Sequence, residues 1–343
     1  KEHITATNTP RLDYSTGAKA FLLEPQSTNL IPYSEDISQW QLVNIATEVS
    51  NTLSPNGTSF MTKATFINSV NSYVRQNLTM NAGSITSSIF VKKGLTDSYA
   101  RIRIDGIDNA ISVWFDLDNG TVSSSIGSPT STSIINYGNG IYRISATTTS
   151  TTDLTLAAIF QSANSDGGVP TENATQFYWG AQVEEQSYST SYIPTSGASA
   201  TRNQELCNDA TPVINSEEGT LYAEISGFNL PQGYISISDG TYGNSIRIGF
   251  VSDNVIKVWV YVGTSALVSQ LFTYDTSNMN KIAVKYSLTD FKVYINGSNV
   301  FSTSSVTFPI GTLSKLAFRR GDQYSPFYGN TKGLKYYPKA LAD

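Results

Sequence analysis

Two-residue alternation of apolar and polar side chains runs through this chain, and no segment sustains the 3.6-residue period of an amphipathic helix. Ala100-Arg101-Ile102-Arg103-Ile104 places alanine and isoleucines on one face and arginines on the other. Phe177-Tyr178-Trp179-Gly180-Ala181-Gln182-Val183 alternates likewise, which predicts a core face of Phe177, Trp179, Ala181 and Val183. Asn119-Gly120, Asn139-Gly140 and Asn296-Gly297 sit between such runs, and Asn-Gly tolerates the positive φ of a tight hairpin turn. Short strands at this spacing predict an all-β chain of antiparallel β-sandwiches.

Length then asks for two of them. At 343 residues the chain exceeds one ordinary sandwich, and each half can bury its own core. Residues 1–26, with Pro10, Gly17 and Pro25 and no period, read as an extended arm. A first sandwich is expected over 27–195 and a second over 206–343. The small, polar residues 196–205 between them read as a linker.

Composition narrows the function. The net charge of −5 speaks against nucleic acid, whose binders carry a basic patch. No run approaches the ~18 apolar residues of a membrane span, so no membrane insertion is expected. No secretory leader opens the chain, which begins on Lys1, so a processed or partial N-terminus is expected. Cys207 and His3 are the only cysteine and histidine, which excludes an internal disulfide and a Cys/His zinc site. His3 lies in the irregular arm, so histidine acid–base chemistry and serine or cysteine nucleophiles relying on it are excluded as well. Asp116 and Asp118 are the best-placed carboxylate pair, but they run straight into the Asn119-Gly120 turn. A protein without catalytic residues is expected.

Ordered sequence blocks carry a resemblance. Leu22 to Asp36, Ser88-Ile89-Phe90-Val91-Lys92-Lys93-Gly94, Gly138 to Arg143, Trp179 to Glu185 and Tyr188 to Thr195 follow one another. Together they resemble the carbohydrate-binding-module-like sandwich of tailed-phage tail and fibre proteins. Asn280 to Tyr286, Phe291 to Gly297 and Gly329 to Leu341 resemble a laminin-G-like or concanavalin A-like jelly roll. The resemblance implies an extracellular virion protein that meets a host cell-surface glycan and packs against other virion proteins. It also implies a homo-oligomer, trimers being common among phage fibres, although no heptad segment here specifies one. The same resemblance leaves open a purely structural virion part and a bacterial secreted glycan-binding accessory protein. No cofactor is expected beyond a structural calcium ion at Glu184, since related sandwiches hold one between a carboxylate and loop carbonyls. Glu185, next along the strand, points to the other face.

One hairpin points to a ligand face. Ile246, Ile248 and Phe250 share a face, as do Ile256, Val258, Val260 and Val262. A three-residue loop at Ser252-Asp253-Asn254 pairs Phe250 with Ile256, Ile248 with Val258 and Ile246 with Val260, keeping all six in the core. Arg247 then stands opposite Trp259, with Tyr261 next along, on the outer face. Trp and Tyr rings stack on the apolar C–H faces of sugars, and Arg247 can bind a ring or an acidic sugar. Tyr222 and Tyr242 are expected to extend this surface, and the loop Arg319 to Tyr324 is a separate candidate. The competing reading is that an edge strand, a loop or a neighbouring subunit covers these rings. For Trp40 and Trp179 core packing is expected instead.

Overall fold

The computed structural model describes residues 11–14, 19–67, 71–152, 154–207, 212–228, 233–304, 306 and 308–342, with the backbone alone for 154–157. Among them the chain is all-β, with antiparallel ladders and one short 3-10 turn at Ile37–Gln39. It divides into two compact units, one running from Gln26 to Asn203 and the other from Gln204 onward together with the described residues before Gln26.

The first unit pairs two six-stranded sheets. One runs Ser131–Gly138, Ile141–Ser150, Gly83–Lys93, Ala174–Glu184, Phe60–Phe66, Ile45–Leu53; the other runs Thr121–Ile126, Ile111–Asp116, Tyr99–Asp105, Leu154–Ala163, Tyr73–Met80, Gln41–Val43. Ala100, Ile102 and Ile104 point into the core, as their alternation predicts. Trp40 is buried there too, 5.7 Å from the Phe160 ring.

The strand Ala174–Glu184 departs from simple alternation. Gly180 takes φ +62° and the ladder slips between Trp179 and Gln182. Such a bulge inserts one unpaired residue and switches faces. Tyr178, Ala181 and Val183 therefore face the main core, while Trp179 packs with Met61, Phe90 and Ile141 in a separate cluster. Trp179 is buried, but not beside Ala181 and Val183. A side chain at 180 would meet the Phe90 ring at 2.8 Å, so the bulge and the packing require the same glycine.

The second unit pairs a seven-stranded sheet with a five-stranded one. The larger runs Arg11–Asp13, Ala20–Leu23, Gly329–Tyr337, Gly219–Gly227, Asn280–Tyr286, Phe291–Ile295, Ser298–Thr303. The smaller runs Ser265–Thr273, Val255–Val262, Ser245–Ser252, Gly233–Ser238, Lys315–Ala317.

The described part of residues 1–26 is thus not an extended arm. Ala20–Leu23 pairs with Gly329–Tyr337 and covers what would be an exposed sheet edge. Arg11 bonds Glu24 at 2.8 Å and also Glu205, tying this segment to a residue at the end of the expected linker. Strands of three and four residues are too short to show a period, which is why the sequence reads as irregular. The expected linker is likewise structured at Ala200–Arg202, which pairs with Ser27–Asn29.

Candidate functional site

The site is built on the outer face of the five-stranded sheet. Ile246, Ile248, Ile256, Val258 and Val260 are fully buried in the core. The pairs Phe250–Ile256, Ile248–Val258, Ile246–Val260 and Arg247–Trp259 are those the apolar pattern predicts. The loop differs in detail: Ser252 pairs with Val255, the turn is Asp253-Asn254 with Asn254 at φ +62°, and a bulge at Val251 absorbs the remaining residue. Two routes through the turn give one register, because the buried face decides it.

Opposite parity puts Ser245, Arg247, Trp259, Tyr261 and Lys257 on the outer face, joined from the next strand by Tyr234 and Ser236. Trp259 and Tyr234 stack with centroids 5.6 Å apart and planes at 27°. Lys257 Nζ lies 3.3 Å from the Trp259 ring centre, and Trp259 Nε1 donates to Ser269 Oγ at 2.5 Å. Trp259 is therefore a half-buried floor rather than a bare platform.

Arg247 is wholly buried beneath two tyrosines. Its guanidinium carbon lies 4.3 Å from the Tyr242 ring centre and 4.7 Å from that of Tyr261. The two tyrosine hydroxyls hydrogen-bond at 2.9 Å. Arg247 Nε donates to Ser245 Oγ at 2.8 Å and Nη2 to the Tyr242 carbonyl at 2.5 Å. Burial lowers the Arg247 pKa from the ordinary arginine range and pushes the Tyr234 hydroxyl up to about 12.

The loop from Arg319 to Tyr324, which the sequence offers as a separate candidate, closes over the same face. Ser236 Oγ donates to the Arg319 carbonyl at 2.6 Å, and Arg320 lies 4.9 Å from the Tyr242 ring centre and 5.7 Å from that of Tyr324. Gly321 makes this approach possible: a Cβ there would stand 2.2 Å from the Thr241 carbonyl oxygen. Gln323 and Ser325 take positive φ of 75° and 50°, a conformation that non-glycine residues hold only under local constraint. Arg320 and Asp322 form a two-point ion pair at 2.7 and 2.8 Å, which holds the Asp322 carboxyl below its usual range. The Arg-Gly-Asp step is thus a closed turn, its two charges spent on one another. The exposed rings of the assembled site are Tyr242, 38% accessible, and Tyr324, 68% accessible.

Tyr222 does not join this surface. It lies on Gly219–Gly227 in the seven-stranded sheet and its hydroxyl donates to Glu224 Oε2 at 3.3 Å. Alternation predicts that it faces outward, but not which of the two sheets carries it. Tyr234 and Lys257 were not singled out by the sequence. The alternation of Tyr234 and Ser236 with Ile235 and Ile237 marks them as outward, and only pairing with Gly249 and Arg247 brings them to Trp259.

Glu184 does not fit a calcium ion. Its carboxylate is buried and accepts from Ser27 Oγ at 2.6 Å, from the Thr190 amide at 3.1 Å and from the Thr190 hydroxyl. Hydrogen-bond donors fill the oxygens that a cation would need, and burial raises its pKa. Among the described residues no group of three or more His, Cys, Asp or Glu is placed to hold a metal. Glu185, as expected, turns away and accepts from Asn81. Asp116 accepts from the amides of Asp118 and Asn119 at 2.9 and 3.0 Å, whereas Asp118 pairs with Lys93. This wrapped turn keeps Asn119 out of positive φ, with only Gly120 crossing over at +66°. His3 lies outside the described residues.

No protein-family model matches the chain, and no curated protein matches it. Solved structures similar to it include the carbohydrate-binding module CBM40 of a Ruminococcus gnavus IT-sialidase bound to α2,3-sialyllactose. The TM-score is 0.31 at 14% identity, over 40% of this chain and 92% of that one. Domains LG4–5 of the mouse laminin α1 chain give 0.30 at 11% identity, over 81% of this chain and 90% of that one. The tail fiber protein gp63.1 of an E. coli phage gives 0.25 at 10% identity, over 94% of this chain and 41% of that one. These scores are too low for any of the three to say what this chain binds.

Proposed function

We propose that this chain is a non-enzymatic virion protein of a tailed phage, a tail or fibre component, whose second unit binds host-surface glycan. The observation that carries the binding role is the joined array of Tyr242, Tyr261, Trp259 and Tyr234 around Arg247, roofed by Arg320 and Tyr324. Aromatic rings interleaved with cations, and edged by the exposed Tyr242 and Tyr324, suit a sugar, whose C–H face stacks while its hydroxyls take hydrogen bonds. The ordered blocks from Leu22 to Thr195 support the virion assignment.

The test is binding of the purified chain to extracted bacterial surface polysaccharides and to whole cells, with Trp259→Ala and Tyr242→Ala alongside. Saturable binding lost in both variants, with the β-sheet circular dichroism spectrum intact, supports the assignment. Unaltered binding in both variants removes the site. No binding to any cell or polysaccharide leaves a purely structural virion part as the account. That second reading has its own support, because the sheet-edge strand Ile45–Leu53 exposes Val49 at 82% and Leu53 at 52%.

A further inference from the structure

Two buried donors in the site stand without partners among the described residues. Arg247 Nη1 and the Tyr234 hydroxyl make no hydrogen bond there, although both residues are 0% exposed. Buried polar groups are normally paired, so two unmet donors in one cluster call for an acceptor. The charge around them points the same way. Arg247 and Lys257 lie over the aromatic rings, while Arg320, also over a ring, is matched by Asp322, so the charge not matched by a carboxylate among the described residues is that of Arg247 and Lys257. Among the described residues no carboxylate bonds Arg247, whose partners are a serine hydroxyl and a backbone carbonyl.

Resting on the glycan-binding reading above, we propose that the ligand is a carboxylate-bearing sugar. Its carboxylate accepts from Arg247 Nη1 and the Tyr234 hydroxyl once the Tyr242 ring swings aside. Two donors, one of them charged, match the two oxygens of a planar carboxylate, whereas a phosphomonoester would leave a third oxygen unpaired. Tyr242 is suited to move. It lies between Gly240 and Gly243 and is the most exposed ring directly over Arg247, and the contacts to be given up are the hydroxyl bond to Tyr261 and stacking on Arg247 and Arg320. Moved outward, it adds a stacking face for the sugar ring.

The experiment titrates the full chain with oligogalacturonate, alginate and hyaluronan. Each is measured beside its carboxyl-reduced counterpart, in which only the carboxylates have become alcohols, and phosphate-bearing and neutral polysaccharides complete the panel. Carboxylated polymers should bind, and carboxyl reduction should weaken binding by about tenfold or more. Tyr234→Phe keeps the ring and removes only the hydroxyl, so it should fold normally and weaken the carboxylated ligand by about tenfold. Arg247→Met should abolish the preference, with circular dichroism checking its fold. Equal binding of reduced and unreduced polymers overturns the carboxylate while leaving the glycan reading standing. Binding confined to the phosphate-bearing polymer overturns it in the same way. If neither this panel nor the extracted bacterial surface polysaccharides and whole cells bind, both readings fall.

Discussion

Tyr234 reaches Trp259 across Gly249, the residue that pairs with Tyr234 in the ladder and with Lys257 on the other side. A Cβ at 249 would stand 2.0 Å from the Gly233 carbonyl oxygen and 2.7 Å from Tyr234 Cδ1. The missing side chain is what lets a ring from one strand lie against a ring two strands away. Gly249→Ala should therefore destabilise the second unit by about 1–3 kcal/mol, the usual range for overpacking. It should also perturb the near-ultraviolet circular dichroism of the stacked pair. Urea denaturation of the full chain measures the first, and an unchanged midpoint would contradict this role for Gly249.

Gly321 holds a comparable position between two loops. Because its Cβ would collide with the Thr241 carbonyl, Gly321→Ala should push the loop from Arg319 to Tyr324 off Tyr242. The expected result is weaker ligand binding with little loss of global stability, since the loop contributes few core side chains. Comparing the binding curve with the unfolding curve separates the two effects. A large stability loss would instead make the loop part of the folding core.

Glu184 should leave a signature in the pH dependence of stability. Burial raises its folded pKa above the ordinary 4.5, so the folded state binds its proton more tightly than the unfolded chain does. The stability linked to that proton is fully present below the unfolded value and is lost as pH rises through the folded one. Glu184→Gln cannot titrate. The stability difference, wild type minus variant, should therefore become more favourable to the wild type as the solution is acidified from neutral through the carboxylate range. A difference independent of pH in urea titrations would show that the carboxylate is not perturbed. Calcium or a chelator should leave the same transition where it is.

Arg11 is the charged anchor of the N-terminal strands. It pairs with Glu24, whose side chain is 4% exposed, and with Glu205. Removing one partner of a buried ion pair costs about 3–5 kcal/mol when burial is complete. Arg11 keeps 11% exposure, so Arg11→Met should cost somewhat less, about 2–3 kcal/mol. The variant should also be more prone to self-association, because the edge of Gly329–Tyr337 is freed when Ala20–Leu23 detaches. Denaturation and light scattering read the two consequences.

Much of this was open to view in the residues. Alternation identified an all-β chain, and the run from Ile246 to Val260 contained enough buried positions to specify its own register. The pairing of Arg247 with Trp259 followed, because a slip of one residue would have turned isoleucines and valines outward. Local pattern served less well where one glycine reset it. At Gly180 the period breaks within a strand, and no residue type marks on which side of the break Trp179 will pack.

The local periodicity of the chain thus determined its class and the parity of each strand, since a buried face must repeat every second residue. Only the tertiary structure decided which outward faces meet. Tyr222 and Tyr242 have equal claims in sequence but belong to different parts of the second unit, whereas the distant loop around Gly321 comes down on Tyr242. Strand order and loop closure are set by packing between segments far apart in the chain. That information resides in no single stretch of residues, and neither does the site.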